Sequence, residues 1–338
     1  MRPFDFRVAV DAPDAVRAAT VPAVSHEGSP VQLMGGGTTL LDLMKLDVMR
    51  PAGMVDITPL DAGRDGKIEA TPQGLRLGAL VRMSEAAEHP DIVRDYPVIA
   101  ETLAMAASAQ LRHMARLGGN VLQRTRCNYF RDPSYAQCNK REPGSGCAAL
   151  DGFNRLHAVL GVSEACIAHY PGDFAQSLIA LDAVVEVLGA NGARSLKFAD
   201  LHRLPGSTPH IETTLAPGEL ITAYVIPAGP WTRRSVYTKV RDRDSYAFAL
   251  ASAAVALDMS GTTVKSARIA LGGVASVPWR AREAEATLAG KVLDEASATA
   301  AAKAAFAGAK VHEHNAYKVP LGEATIVRAL LTARDMRV

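Results

Sequence analysis

All four cysteines of this 338-residue chain, Cys127, Cys138, Cys147 and Cys166, fall within one stretch of forty residues. No other feature restricts the fold as sharply. Thiols spaced C-x10-C-x8-C-x18-C meet at one point only if the chain between them folds back on itself. The intervening segments "DPS", "EPGSG" and "GFN" supply the Pro, Gly, Asp and Asn residues that such turns need. Four thiolates on one centre suit a structural zinc or an iron–sulfur cluster. No C-x2-C pair of the zinc-ribbon kind is present, which favours iron–sulfur. Four unrelated thiols are the plain alternative, and two disulfides are another for an exported protein. Arg124, Arg126, Lys140 and Arg141 flank the cysteines, either as cations that stabilise a negatively charged cluster or as ordinary surface charge. His113, His157 and His169 read as polar neighbours, since four cysteines already complete a ligand set.

Composition excludes several function classes. The chain is 48% hydrophobic and 21% charged with a formal net charge of +2, ordinary for a globular protein. No basic half points to nucleic acid. No apolar run approaches the ~18 residues that span a bilayer. The start, "MRPFDFRVAVDAPDA", has no apolar core of a signal peptide. The expectation is synthesis in the cytoplasm, with residence there or export beside a partner that carries a signal.

Periodicity predicts an α+β chain. "VQLM" reads as a strand, Val31 to Met34, entering the turn "GGG", and "TTLLDLMKLD" as a helix capped by Thr38 or Thr39. "KIEATPQGLRLG" reads as a hairpin. "YPVIAETLAMAASAQLRHMARLGGN" reads as one long helix that stops at Gly118-Gly119. "PGELITAYVIPAGP" resembles an edge strand closed by prolines. "SYAFALASAAVALDMSGTTVKSARIALGGVA" gives two long strands around a Ser-Gly turn, with helices after them.

Three glycines at a strand-to-helix turn let backbone N–H groups approach a phosphate. Neither a P-loop lysine nor the third glycine of G-x-G-x-x-G follows, so on its own the turn reads first as a plain tight turn and only second as a phosphate site. Asp173, beside a glycine before an apolar helix, reads alone as a helix cap. Lys239, Arg241 and Arg243 alternate as on a solvated strand face.

Taken in order, "LMGGGTTLLDLMKLD", "LGALVRMSEAA", "ARLGGN", "PGDFAQSLIALDAVVEV", "PGELITAYVIP", "YTKVRDRDSYAFALASAAVAL" and "ARIALGGVASVPWRA" resemble the FAD-binding subunits of molybdenum hydroxylases. This is the xanthine dehydrogenase and carbon monoxide dehydrogenase flavoprotein family, and the resemblance runs along essentially the whole chain. The roughly fifty residues between "GGN" and "PGDF" resemble an insertion in the flavin subunit of periplasmic-type bacterial aldehyde oxidoreductases, whose cysteines hold a 4Fe–4S cluster.

The resemblance implies a vanillyl-alcohol-oxidase-like (VAO/PCMH-like) FAD-binding domain of two subdomains, residues 1–60 and 61–228, with the 4Fe–4S insertion at about 121–170. A C-terminal α+β domain of the CO dehydrogenase flavoprotein type, residues 229–338, would follow. Leu33, Met34, Gly35, Gly36, Gly37, Thr38, Thr39 and Leu40 would hold the FAD pyrophosphate. Arg116, Gly119 and Asn120 would lie along the cofactor. Asp173 would accept from its hydroxyls, Ile221 would pack near the ring, and Lys239 would face the isoalloxazine carbonyls. Arg116 replaces a small hydroxylic residue common at that position, so a backbone contact is expected there. Cys127, Cys138, Cys147 and Cys166 would ligate the cluster. No catalytic residue is assigned.

The implied activity is electron transfer within a molybdenum-dependent aldehyde oxidoreductase. A large molybdopterin-binding subunit would oxidise aldehyde to carboxylic acid, and a small subunit with two 2Fe–2S clusters would relay electrons to FAD. From there they would pass to oxygen, a quinone or a redox protein. A flavin subunit of the 4-hydroxybenzoyl-CoA reductase type and a zinc-stabilised binding module without redox role are the alternatives.

Overall fold

A computed structural model describes residues 1–338. The first unit comprises β1 (Asp5–Val8), α1 (Ala12–Ala19), β2 (Val31–Met34), α2 (Leu40–Lys45) and β3 (Gly53–Asp56). Its three strands are parallel in the order β1-β3-β2. Asp11 starts α1 by accepting from the Asp14 amide, and Ala15, Val16 and Ala19 bury one face of that helix. β2 ends directly at the triglycine turn, the carboxyl edge where open parallel sheets bind ligands. Thr39 precedes α2 but makes no side-chain capping bond, contrary to the expected cap. Its own backbone is already helical (φ −109°, ψ −48°), whereas a capping residue has an extended backbone.

Next come β4 (Ile68–Thr71), β5 (Gly74–Gly78), α3 (Met83–Glu88), α4 (Pro90–Asp95), α5 (Pro97–Ala104), α6 (Ala109–Met114), α7 (Leu117–Val121), α8 (Asn128–Arg131), α9 (Phe174–Ala180), β6 (Val184–Gly189), β7 (Gly192–Lys197) and β8 (Leu220–Pro227). The strands form an antiparallel sheet in the order β4-β5-β8-β6-β7. Two expectations fail here. The strand closed by prolines is central, flanked by β5 and β6. Pro227 is its last residue, opposite Gly74 at the sheet's end, where a missing donor matters least. The long helix is three pieces. Ala107 adopts φ +50°, which no helix tolerates, and Ser108 then caps α6 through the Leu111 amide. Gly118 and Gly119 consequently open α7 rather than end a helix.

The last unit contains β9 (Ser235–Val240), β10 (Ala251–Ser260), β11 (Thr263–Gly272), β12 (Trp279–Arg280), α10 (Arg282–Leu288), α11 (Glu295–Ala305) and α12 (Lys318–Asp335). Its antiparallel sheet runs β12-β11-β10-β9. β10 is apolar on both faces because both are covered. Ala254 and Ala256 join the large core around α5 and α9, while Ala253, Val255 and Leu257 pack toward α10–α12. That is why its sequence reads as a continuous apolar run instead of an alternation.

The cysteine segment has little regular structure beyond α8. Asn139 organises it: its Oδ1 accepts from the Gly144 and Gly146 amides at 3.1 and 2.9 Å, and its Nδ2 donates to Ala165 O at 3.0 Å. Arg141 donates to the carbonyls of Tyr129 and Phe130 at 2.7 and 2.8 Å, holding α8 against the following loop. The far end of the segment is strapped to the last unit. Lys318 donates to Leu156 O at 3.0 Å and Gly273 O at 2.6 Å, and Asn315 donates to Ala158 O at 3.1 Å. No helix is long and apolar enough to cross a membrane.

Candidate functional site

The triglycine turn lies against the α6–α7 junction, and two of its glycines are required by geometry. A Cβ on Gly36 would sit 1.9 Å from Met114 O, inside its contact radius. Gly37 has φ +72°, the left-handed region that favours glycine. Beneath the turn, Arg116 Cγ would lie 3.2 Å from a Cβ on Gly35. The Arg116 guanidinium donates to Leu80 O at 2.8 Å and to Asp61 Oδ2 at 2.9 Å. Its charge is thus largely matched below the turn, and only Nε is buried without a partner.

The turn forms one wall of a cleft enclosing about 1050 Å³, its mouth included. Leu33, Met34, Gly35, Gly36, Gly37, Thr38, Thr39, Leu40, Arg116 and Gly119 all line it. The family resemblance had singled out each of these. Other lining residues went unnoticed: Glu27, Gln32, Tyr170, His202 and Thr213 among them. They come from segments far apart in the chain; Thr213 Oγ1 donates to Glu27 Oε1 at 2.7 Å across 186 positions. No local motif marks such a pair.

The cysteine segment supplies part of the same cleft through Gln123, Arg124 and Lys140. Arg124 and Lys140 both reach Glu212, at 2.6 and 3.5 Å. Burial alone would raise the Glu212 carboxyl, but the two cations outweigh it and hold it below the usual range.

Asn120, Asp173, Ile221 and Lys239 stand outside the lining of this cleft. Asn120 Nδ2 meets Met83 Sδ at 3.3 Å, and its Oδ1 is buried without a partner. Ile221 belongs to the large core. Lys239 is not on a solvated strand face. Its side chain is 1% exposed and donates to Asp173 Oδ2 at 2.7 Å and to Met105 O at 3.0 Å. Asp173 also accepts from Tyr237 OH at 2.5 Å, so it stands at the start of α9 without capping it. Burial raises the Asp173 carboxyl while Lys239 and Tyr237 oppose the shift.

The four cysteines come into one neighbourhood. Cys127, Cys138 and Cys166 share a small apolar cluster with Leu43, Phe130 and Ala168. Cys138 and Cys147 face each other as an isolated bridge. All four are free thiols. Burial raises Cys127 to about 12 and Cys166 to about 11, with neighbouring thiols adding to both shifts. His157 Nε2 lies 3.1 Å from Cys127 Sγ, and burial lowers that imidazole to about 4. His169 is buried as well, while His113 lies in the last turn of α6. No group of three or more His, Cys, Asp or Glu side chains is arranged as it stands to hold a metal ion.

A glycine turn at a parallel-sheet edge opens onto this cleft, and an antiparallel α+β unit follows. The family model of the FAD-binding domain in molybdopterin dehydrogenase matches residues 7–229, and that of the CO dehydrogenase flavoprotein C-terminal domain matches residues 235–333. The chain belongs to the FAD-binding subunits of the molybdenum hydroxylases. It is 47% identical over 337 residues, 99% of both chains, to the aldehyde oxidoreductase FAD-binding subunit PaoB of Escherichia coli strain K12. It is 27% identical to the carbon monoxide dehydrogenase medium chain of Afipia carboxidovorans, over 82% of this chain and 78% of that one. In structure it resembles carbon monoxide dehydrogenase of Hydrogenophaga pseudoflava, with TM-score 0.73, 25% identity and 98% of each chain covered. The fold is also that of quinoline 2-oxidoreductase from Pseudomonas putida 86, with TM-score 0.73, 22% identity, and 98% of this chain and 97% of that one covered.

Proposed function

We propose that this chain is the FAD- and 4Fe–4S-binding electron-transfer subunit of a molybdenum-dependent aldehyde oxidoreductase. The observation that carries the aldehyde reading is the end-to-end identity of 47% with an aldehyde oxidoreductase subunit. By the same likeness, its partners are a large molybdopterin-binding subunit and a small subunit with two 2Fe–2S clusters. Electrons leave for oxygen, a quinone or a redox protein. The domains are drawn at residues 1–60, 61–228 and 229–338.

The cleft suits FAD in its donors. Backbone N–H groups of Gly35, Gly36 and Gly37 point anion-binding capacity at a pyrophosphate. Thr38 and Thr39 add hydroxyls, and Leu33, Met34 and Leu40 add apolar wall. Gly119, in α7, adds its backbone to the lining. When bound, FAD supplies the exchange of electron pairs for single electrons. The chain's own task is to hold that group, keep water from it and leave one edge open to an acceptor.

Cys127, Cys138, Cys147 and Cys166 are assigned to the cluster. The donor set supports the reading: Cys127, Cys138 and Cys166 share one apolar cluster, and the half-buried Cys147 lies across a bridge from Cys138. Loading must deprotonate Cys127, Cys147 and Cys166 against a burial that favours their neutral thiols. His157 would then donate from Nε2 to the Cys127 thiolate. The compartment is proposed as the periplasm, by export with a signal-bearing partner, or the cytoplasm.

The test is the purified complex assayed with aldehydes and with aromatic CoA thioesters, alongside its flavin absorbance. Aldehyde turnover with a flavin spectrum supports the reading. Thioester reduction alone, or no flavin absorbance, removes it.

A further inference from the structure

Two of the four thiols face each other across paired backbone, and the other two do not. Cys138 and Cys147 stand opposite one another on antiparallel segments. The bonds beside them run from the Asn139 amide to Gly146 O at 2.7 Å and from the Ala148 amide to Gln137 O at 3.0 Å. Neither cysteine bonds the other's backbone, so this is the non-hydrogen-bonded kind of opposite pair. That geometry brings the two Cα atoms to about 4.5 Å and puts both side chains on one face. A disulfide spans Cα separations of about 4.4–6.8 Å. The backbone therefore already stands where a bond between these sulfurs would hold it.

The register is kept by bonds that make no use of sulfur. The Cys138 amide donates to Ser145 Oγ at 3.0 Å, and Cys138 O accepts from the Arg141 and Glu142 amides at 2.9 and 2.7 Å. Asn139 Oδ1 ties the Gly144 and Gly146 amides inside the same turn. Cys127 and Cys166 are placed otherwise. Cys127 precedes α8 with its Sγ beside His157, and Cys166 faces Ser163 across its bridge. Both are buried, whereas Cys147 is half-buried and is the first thiol that an external reagent meets.

We infer that Cys138 and Cys147 are a reversible dithiol–disulfide pair that controls metal loading of the cysteine segment. The pair closes by exchange with a small disulfide of the oxidised glutathione type. The Cys147 thiolate attacks one sulfur of the reagent and expels the first glutathione thiol. The Cys138 thiolate then attacks the Cys147 sulfur of the mixed disulfide, forms the Cys138–Cys147 bond and expels the second. Both cysteine protons end on the released thiols, and the two electrons that the chain loses reduce the reagent. The closed pair withholds two of the four thiolates that a cluster takes, so a cluster must be in place before the chain meets an oxidising compartment. What the pair controls rests on the cluster assignment above; the pairing itself does not.

The test uses the full chain in its complex, stripped of metal by a chelator under dithiothreitol and then freed of both. It is treated with oxidised glutathione, digested without reduction and mapped by mass spectrometry. The expected product is one peptide pair linked through Cys138 and Cys147, with Cys127 and Cys166 still open to alkylation. Cys166→Ser should form the same link. Iron and sulfide supplied without oxygen should load the closed form to less than roughly a tenth of the reduced form, and dithiothreitol should restore loading. A link through Cys127 or Cys166, glutathione adducts with no link, or a closed form that takes up iron as fully as the reduced one overturns the inference. A linked Cys138–Cys147 peptide in a chain that takes up no iron in either form supports the pairing and removes the cluster assignment instead.

Discussion

Gly36→Ala drives a methyl group into the Met114 carbonyl. The Cβ would lie 1.9 Å from Met114 O and 2.6 Å from its carbonyl carbon. An ordinary C···O contact is about 3.3 Å, so the turn or the α6–α7 junction must retreat by roughly 1.4 Å. Neither side is free to move. Met114 ends α6, and the Ala115 carbonyl that follows accepts from the Met83 amide at 3.0 Å. On the other side, the turn is continuous with β2, which pairs in register with β3. Overpacking of this kind costs about 1–3 kcal/mol of stability, a visible part of a total near 5–15 kcal/mol. The larger effect falls on the cofactor. A retreat of that size takes at least one backbone N–H out of reach of a pyrophosphate oxygen, and one charge-assisted bond is worth about 1.5–3 kcal/mol. FAD affinity should therefore drop by roughly one to two orders of magnitude. Urea denaturation and FAD titration of the stripped protein measure the two effects separately. A Gly36→Ala protein with unchanged urea midpoint and unchanged FAD affinity would show that the turn neither packs as described nor holds the cofactor.

Lys239→Met leaves the Asp173 carboxylate buried with only Tyr237 for support, and should destabilise the chain by about 3–5 kcal/mol in urea titrations. Lys239→Met/Asp173→Leu should recover most of that loss. His202 has a folded value near 4 against an ordinary value of 6.5. Between those limits the unfolded chain binds the proton that the folded chain refuses, so stability falls as pH drops from about 6.5 to 4, by about 3 kcal/mol in all. Thermal melts across this range should show His202→Phe with a flatter acid limb than the unsubstituted chain. Cys138→Ser should lose the chain's iron while keeping FAD, read by metal analysis and by the flavin spectrum on the same sample; retained iron would remove Cys138 from the ligand set.

Much of the architecture is legible in the residues. The β2 strand and its glycine turn are written in consecutive positions, as are the β4–β5 and β10–β11 hairpins, so propensity and turn chemistry suffice. The long helix misled because alanine-rich sequence favours helix throughout, and nothing local announces the left-handed Ala107. The β8 strand misled because its prolines suggested an edge, while pairing on both sides is decided by β5 and β6, far away in sequence. Lys239 looked solvated because alternation of cations is the usual mark of an exposed face. Only the approach of α9 supplies the buried Asp173 that pairs with it. The glycine half of the cleft was readable for the same reason that Glu27, His202 and Thr213 were not. One is a contiguous motif, and the others meet only through the tertiary fold.

The central claim is that one chain carries both FAD and a four-iron cluster, and it is tested most directly by counting. Iron, acid-labile sulfide, zinc and flavin should be measured on the same full-length chain, purified without oxygen. The account predicts about four iron and four sulfide per chain, the content of one 4Fe–4S cluster, with one FAD. One zinc per chain and no sulfide, or a chain with neither iron nor flavin, contradicts it.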